Sequence, residues 1–215
     1  VREGETTGRR GAEPSERRTI GTMPFTRDSG AYRALWAFDR DDYAAHLKRL
    51  TVEDRRSRFQ YPATDEQIER HVDEFLSGGG HVIGWFCEGG LRAAAEVAIF
   101  PDGVTAEAAF EVEPEWRGRG VGAELVNRAL LWARNRGVRH LLIHTLRSNT
   151  AMLKAAKKRG AVFEFDLADA DGVIETPKAS WRSYLREARF EEQGVLRWLR
   201  DSLARRLSFL RRRAG

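Results

Sequence analysis

At 215 residues, with 41% hydrophobic and 32% charged side chains, the chain has room for one domain of ordinary size carrying tails, and its composition excludes a fibrous or wholly disordered protein. Cys87 is the only cysteine, no apolar run reaches the roughly 18 residues of a membrane span, and the N-terminus lacks an apolar export core, so a reducing, cytoplasmic setting is expected. The net charge is +5, but residues 178–215 hold 11 Lys/Arg against 4 Asp/Glu and the other 177 residues hold 26 against 28, so the basicity belongs to the tail and nucleic acid is not expected as a partner.

Residues 1–25 are rich in Gly, Arg, Glu, Ser and Thr and are expected to be disordered, because they cannot offset their ordering entropy by burial. A first strand is predicted over Tyr32–Phe38, with Tyr32, Ala34, Trp36 and Phe38 on one face, followed by a helix from Asp39–Asp42 to about Leu50. Thr51–Asp54 reads as a capping signal for a short helix ending at Phe59. Thr64–Gln67 opens another, with Ile68, Val72, Phe75 and Leu76 at helical spacing, closed by Gly78–Gly80. Strands over His81–Cys87 and Leu91–Phe100 form a hairpin through Glu88–Gly90, and a turn at Pro101–Gly103 leads to a third strand, Thr105–Val112. A helix over Arg119–Arg136, a strand over Val138–Thr145, a helix over Thr150–Arg159 and a strand over Val162–Leu167 follow. An antiparallel meander running into βαβα defines a mixed α+β fold, with a mostly antiparallel central sheet flanked by helices, and not a doubly wound dinucleotide fold.

The stretch from Phe110 to Gly122 is a strand that stops at Pro114 and passes through Gly118, Gly120 and Gly122 into a helix. That arrangement removes side chains where backbone N–H groups and a positive helix end meet a ligand, and it suits a pyrophosphate. The alternative is a tight strand-to-helix turn with glycine chosen for packing. A P-loop would need Gly-Lys-Ser/Thr where Val121, Gly122 and Ala123 stand.

Arg117-Gly-Arg-Gly-Val-Gly122, preceded by Val112-Glu-Pro114, resembles the Arg/Gln-x-x-Gly-x-Gly/Ala signature of the GCN5-related N-acetyltransferases. Ser148-Asn149, with Gly160 eleven residues beyond Asn149, resembles a second block of that family. The resemblance covers residues 81–165 well and 31–76 faintly, and it places the domain at residues 26–177. It implies that backbone groups across Arg117, Gly118, Arg119, Gly120, Val121 and Gly122 hold the pyrophosphate of acetyl-CoA as co-substrate. It also implies that Phe110, Glu111 and Val112 pair with the pantetheine arm as an added strand, and that Asn149 hydrogen-bonds that arm.

Attack by an amine needs a base, an oxyanion stabiliser and a proton for the departing thiolate. Glu107 on the strand before the cradle and Glu96 on the preceding strand are the candidate catalytic carboxylates; outward-facing strand residues are the alternative. The family's frequent acid, a Tyr four residues before the closing Gly, is Ala156 here, which leaves water, Ser148 or His144 for that role, or a thiolate that leaves unprotonated. No metal site is expected. Arg55, Arg56 and Arg58 read either as a solvated helix face or as an attraction for an acidic acceptor.

The tail, residues 178–215, reads as a basic amphipathic helical segment broken near Gly194. Its stripe is Leu185, Val195, Leu196, Trp198, Leu199, Leu203, Leu207 and Leu210, fitting a peripheral membrane contact at the inner surface, a protein partner, or packing on its own domain. The expected activity is transfer of acetyl from acetyl-CoA to a primary amine, small molecule or protein lysine, by direct attack, in a monomer or homodimer. The alternative is an acetyl-CoA-binding regulatory module with little turnover.

Overall fold

The structure is a computed structural model that describes residues 30–213, with side chains as far as Arg205. The disorder expected for residues 1–25 and the side chains of Leu207 and Leu210 lie outside the described residues.

Seven strands form one sheet in the order β1-β2-β3-β4-β5-β7-β6, antiparallel throughout except for the β4–β5 pair. The strands are β1 (Ala31–Ala34), β2 (His81–Cys87), β3 (Gly90–Ile99), β4 (Thr105–Val112), β5 (His140–Leu146), β6 (Val162–Asp166) and β7 (Asp169–Glu175). Helices α1 (Arg40–Lys48), α2 (Val52–Phe59) and α3 (Asp65–Ser77) lie between β1 and β2, α4 (Val121–Asn135) between β4 and β5, α5 (Thr150–Lys157) after β5, and α6 (Trp181–Arg213) at the end.

The two faces of the sheet carry separate cores, and the period of two along β3 and β4 decides which residue serves which. Ala93, Ala95, Val97, Ala106 and Ala108 face α4, whose Val121, Leu125, Val126, Ala129, Trp132 and Ala133 form its apolar stripe. The small strand residues let the helix approach closely. On the opposite face, Ala94 and Leu91 join Tyr43, Leu47, Ile68 and Val72 of α1 and α3. Each fully buried large side chain contributes about 1.5–3 kcal/mol. The predicted capping box of α3 is present: Gln67 N–H donates to Thr64 Oγ1, and Thr64 N–H donates to Gln67 Oε1.

Three expectations need correction. β1 ends at Ala34, because the Asp39 carboxylate accepts the Trp36 N–H at 2.7 Å and turns residues 37–39 into a 3-10 helix; the buried alternation is Ala31 and Arg33, not Tyr32 and Ala34. A strand not anticipated from the sequence, β7, sits between β5 and β6. Its buried positions are Ala170, Gly172 and Ile174, and Phe163 crosses so close to Gly172 that a Cβ there would meet its ring at 2.5 Å. Gly194 does not break the tail: α6 runs unbroken for 33 residues, about 50 Å at the helical rise.

Gly194 instead allows α6 to lie on β1, where a Cβ would stand 1.8 Å from the Tyr32 carbonyl oxygen. Around this contact, Glu191 accepts the Ala34 N–H at 3.3 Å and Arg197 donates to the Gly30 carbonyl at 3.1 Å. The fully buried Arg33 donates to both Asp39 oxygens at 2.6 and 2.7 Å, and its guanidinium stacks between Trp36, Phe86 and Trp198 of α6. Leu185, Leu196, Leu199 and Leu203 remain exposed on the outer side of α6. Among the described residues no helix is long and apolar enough to cross a membrane.

Candidate active site

The ladder between β4 and β5 is short. It pairs Thr105–Glu107 with His140–Leu142 and stops, while β4 runs on to Val112 and β5 to Leu146. The two strands diverge beyond that point into a cleft, while β5 stays paired along its whole length with β7 on its other edge. The cleft continues into a cavity of about 540 Å³, bounded by α2, the 117–123 turn and the start of α5.

One half of this cavity is built from backbone. Gly118 and Gly120 adopt φ of +75° and +80°, a left-handed conformation that favours glycine, and neither has an atom within 4 Å of where a Cβ would stand. Gly120 is the N-cap of α4 and has no side chain to serve as cap, so the N–H groups of Val121, Gly122 and Ala123, all on the cavity wall, have no intrahelical acceptor. Arg117 closes the turn by donating to the Val112 carbonyl at 2.9 Å and pairing with Asp54 of α2 at 2.6 Å. Arg119 is not on the wall: its guanidinium lies 4.9 Å over the Trp116 ring and donates to the Glu115 carbonyl. Asn149 lines the cavity and caps α5, its Oδ1 accepting the Met152 N–H. Phe110, Glu111 and Val112 present the edge of β4 that no strand covers. This combination of free amides, open space and an unpaired edge fits a pyrophosphate followed by an extended amide chain.

The other half is built from charged side chains. Glu107, Ala109 and Glu111 alternate onto the α1–α3 face, and the β3–β4 register sets Glu96 opposite Ala109, beside Glu111. Glu107 is exposed on the cavity wall. Glu111 lines it with its carboxyl buried, and Glu96 lies fully buried behind the wall. Arg58 of α2 reaches into the sheet and contacts both Glu96 and Glu111. Glu96 also accepts from the Tyr43 hydroxyl and from His71 Nε2 at 2.8 Å.

Burial pushes the Glu96 carboxyl well above the usual range, reinforced by the Glu111 and Glu107 charges. Burial raises Glu111 as well, against the pull of Arg58 and His46. His71 stands at ion-pair distance from Glu96 yet is lowered to about 4, by burial first and then by Arg58, so the contact is a hydrogen bond from a neutral imidazole. Glu113, one step further along this face, is clamped by His46, Arg49 and Arg92 and fixes the end of β4 to α1. Across the cleft, His144 of β5 lines the cavity, with Nδ1 2.7 Å from Asp171. Ala156, where the resemblance places the acid, is fully buried in the core; Thr150, Ala151, Met152 and Ala155 are the α5 residues on the wall.

The structure thus brings Glu107, Phe110–Val112, Trp116–Gly118, Gly120–Gly122 and Asn149 around one cavity, and leaves Glu96 and Arg119 off its wall. The charged cluster of Arg58, Glu111, His71 and Tyr43 was not legible as a unit. Its one available signal was the period-two pairing of Glu107 with Glu111 on a strand whose hairpin partner carries Glu96.

A sheet with one parallel pair that splits over a glycine-built helix N-terminus defines an acyl-CoA-dependent transferase fold. The family model described as "Acetyltransferase (GNAT) family" matches residues 30–161, more than half of the chain, and the chain belongs to that family, whose acetyl donor is acetyl-CoA. Among solved structures, the chain is similar to the GNAT domain of the S. lividans protein PAT, with 21% identity and a TM-score of 0.57 over 68% of this chain and 90% of that one. It also resembles yncA of Salmonella typhimurium, solved with acetyl-CoA, with 16% identity and a TM-score of 0.55 over 70% and 96%. A third similar structure is the ribosomal-protein-alanine N-acetyltransferase of Brucella melitensis, with 18% identity and a TM-score of 0.54 over 66% and 96%. At these identities the likeness is one of fold. No curated protein matches the sequence.

Proposed function

We propose that this acetyltransferase moves the acetyl group of acetyl-CoA onto a primary amine by direct attack within a ternary complex. The observation that carries the reading is the meeting, at the point where β4 and β5 part, of a backbone-built phosphate cradle and a buried carboxylate of raised proton affinity. The amides of Val121, Gly122 and Ala123, with Arg117 beside them, hold the pyrophosphate. The free edge of β4 from Phe110 to Val112 pairs with the pantetheine, which places the thioester beside Glu107 and Ala109.

An alkylamine arrives as an ammonium and must lose a proton before it attacks. Glu107 stands at the mouth of the split and Glu111 deeper in the wall. Glu111 binds a proton more firmly than a solvated carboxylate and is the better-matched base. Glu96 and Arg58 act behind it, sharing charge across the buried pair. His144, held by Asp171 through Nδ1, stands across the cleft where the departing thiolate needs a proton.

Cys87 supports direct attack by elimination: it is buried off the cavity and burial raises its thiol, so it makes a poor acyl carrier. The test is calorimetry of acetyl-CoA followed by thiol-release assays on an amine panel. Micromolar binding with turnover is expected, and absence of both from folded protein overturns the reading.

A further inference from the structure

The cavity as a whole is electrically lopsided in its side chains. Glu53, Asp54, Glu107 and Glu111 line it, and the cationic side chains on its wall are Arg58 and Arg117. Both of those already have partners. Arg58 lies between Glu96 and Glu111, and Arg117 is held by Asp54 and the Val112 carbonyl. The other two arginines of α2 that could have drawn in an acidic acceptor are off the wall: Arg55 donates to the Ala63 and Lys48 carbonyls and pairs with Asp65, and Arg56 is exposed outside it. A second, independent observation points the same way. The carboxyl of Glu111 is almost wholly buried, yet its Oε2 has no hydrogen-bond partner. A buried carboxylate oxygen in that state is costly unless a donor arrives.

We infer that the acceptor is a cationic amine that carries a second positive charge besides the reacting ammonium, as a polyamine or a lysine flanked by basic residues does. The reacting ammonium enters toward Glu111 and Glu107 and gives up its proton there. The second cation is received by Glu53, which stands on the first turn of α2 with no ion pair among the described residues. Carboxylate-bearing amines meet repulsion at the same place. The inference deepens the proposed N-acetyltransferase reading and rests on it.

The test measures CoA release by the full chain at saturating acetyl-CoA with four acceptors: spermidine, a short peptide with one lysine between arginines, n-butylamine and glutamate. At least one of the two polycations is expected to exceed butylamine roughly tenfold in kcat/KM, with glutamate lowest, and the gap is expected to shrink as salt screens it. Which polycation leads separates a small-molecule source from a protein one. Glu53→Gln, an exposed substitution that leaves the buried cluster intact, is expected to narrow the gap roughly fivefold through KM, and Glu53→Lys to narrow it further. Butylamine or glutamate equal to or better than both polycations overturns this inference alone, as does a preference that Glu53→Gln does not move. No release from any amine by protein that binds acetyl-CoA overturns the transferase reading as well.

Discussion

The two halves of the cavity are made of different material. The donor half is backbone: three amides without acceptors, two glycines at positive φ and a strand edge left open. The acceptor half is side chains: Glu107, Glu111 and Arg58 at the wall, with Glu96, His71 and Tyr43 behind. Backbone donors keep their charge distribution at every pH, whereas a buried carboxylate pair with one guanidinium between its members changes state with small changes around it. One half is therefore suited to hold a common donor, and the other to be tuned to a particular acceptor.

Substitutions that separate binding from turnover test this contrast most sharply. Glu111→Gln keeps the shape of the wall and removes the base, so kcat/KM is expected to fall by roughly 10²–10⁴-fold, with acetyl-CoA affinity by calorimetry almost unchanged. Its pH profile sharpens the point. Because burial raises Glu111, its basic form appears only as pH climbs through that raised pKa, so wild-type kcat/KM should have an ascending limb above the ordinary carboxylate range, and the Gln variant should lose it.

Gly120→Trp is the converse experiment. Its indole fills the space before the free amides, and the residue must adopt φ near +80°; acetyl-CoA affinity should fall roughly 100-fold while circular dichroism shows a folded protein.

A third test reads the acceptor half through stability. His71 is lowered to about 4, so the folded state prefers it neutral; the stability it contributes is whole above pH 6.5 and is lost as pH falls from 6.5 toward 4. Thermal unfolding should drop by several degrees across that window, since about 1 kcal/mol shifts Tm by roughly 2–4 °C at this size. His71→Gln, which still offers a donor to Glu96 without titrating, should flatten that drop in part. The smallest effect is expected for Arg119→Ala. With its guanidinium on Trp116 and off the wall, acetyl-CoA affinity should change by less than roughly twofold, whereas Arg117→Ala should weaken it more.

What the sequence made legible follows the same division. The glycines at 118 and 120 are forced by local geometry, so the backbone-built half of the cavity could be read from six residues, and β2, β3 and β4 were bounded to within a residue by their alternation and turns. The acceptor cluster depends on α2 meeting the sheet face of β3 and β4, a tertiary event that no local pattern records. β7 escaped for a different reason: only pairing with β5 and β6 makes Ala170, Gly172 and Ile174 an inward-facing row. Gly194 misled because glycine inside a helix suggests a break, whereas its purpose here is a close approach to Tyr32. Likewise Arg33 could not be read as interior without its partner Asp39 and the rings of Trp36, Phe86 and Trp198.

The seat of α6 on β1 has a bearing on the margin of the sheet. β1 is an end strand of the sheet, with a row of main-chain donors and acceptors that would otherwise invite another strand. Glu191 takes the amide of Ala34, Arg197 takes the carbonyl of Gly30, and the bare backbone at Gly194 brings the helix axis down over the strand between them. The basic tail is in this sense a permanent guard along that margin. A chain shortened after residue 177 would not simply be a smaller enzyme: it would carry an adhesive border open to intermolecular strand pairing, and self-association would be its characteristic failure.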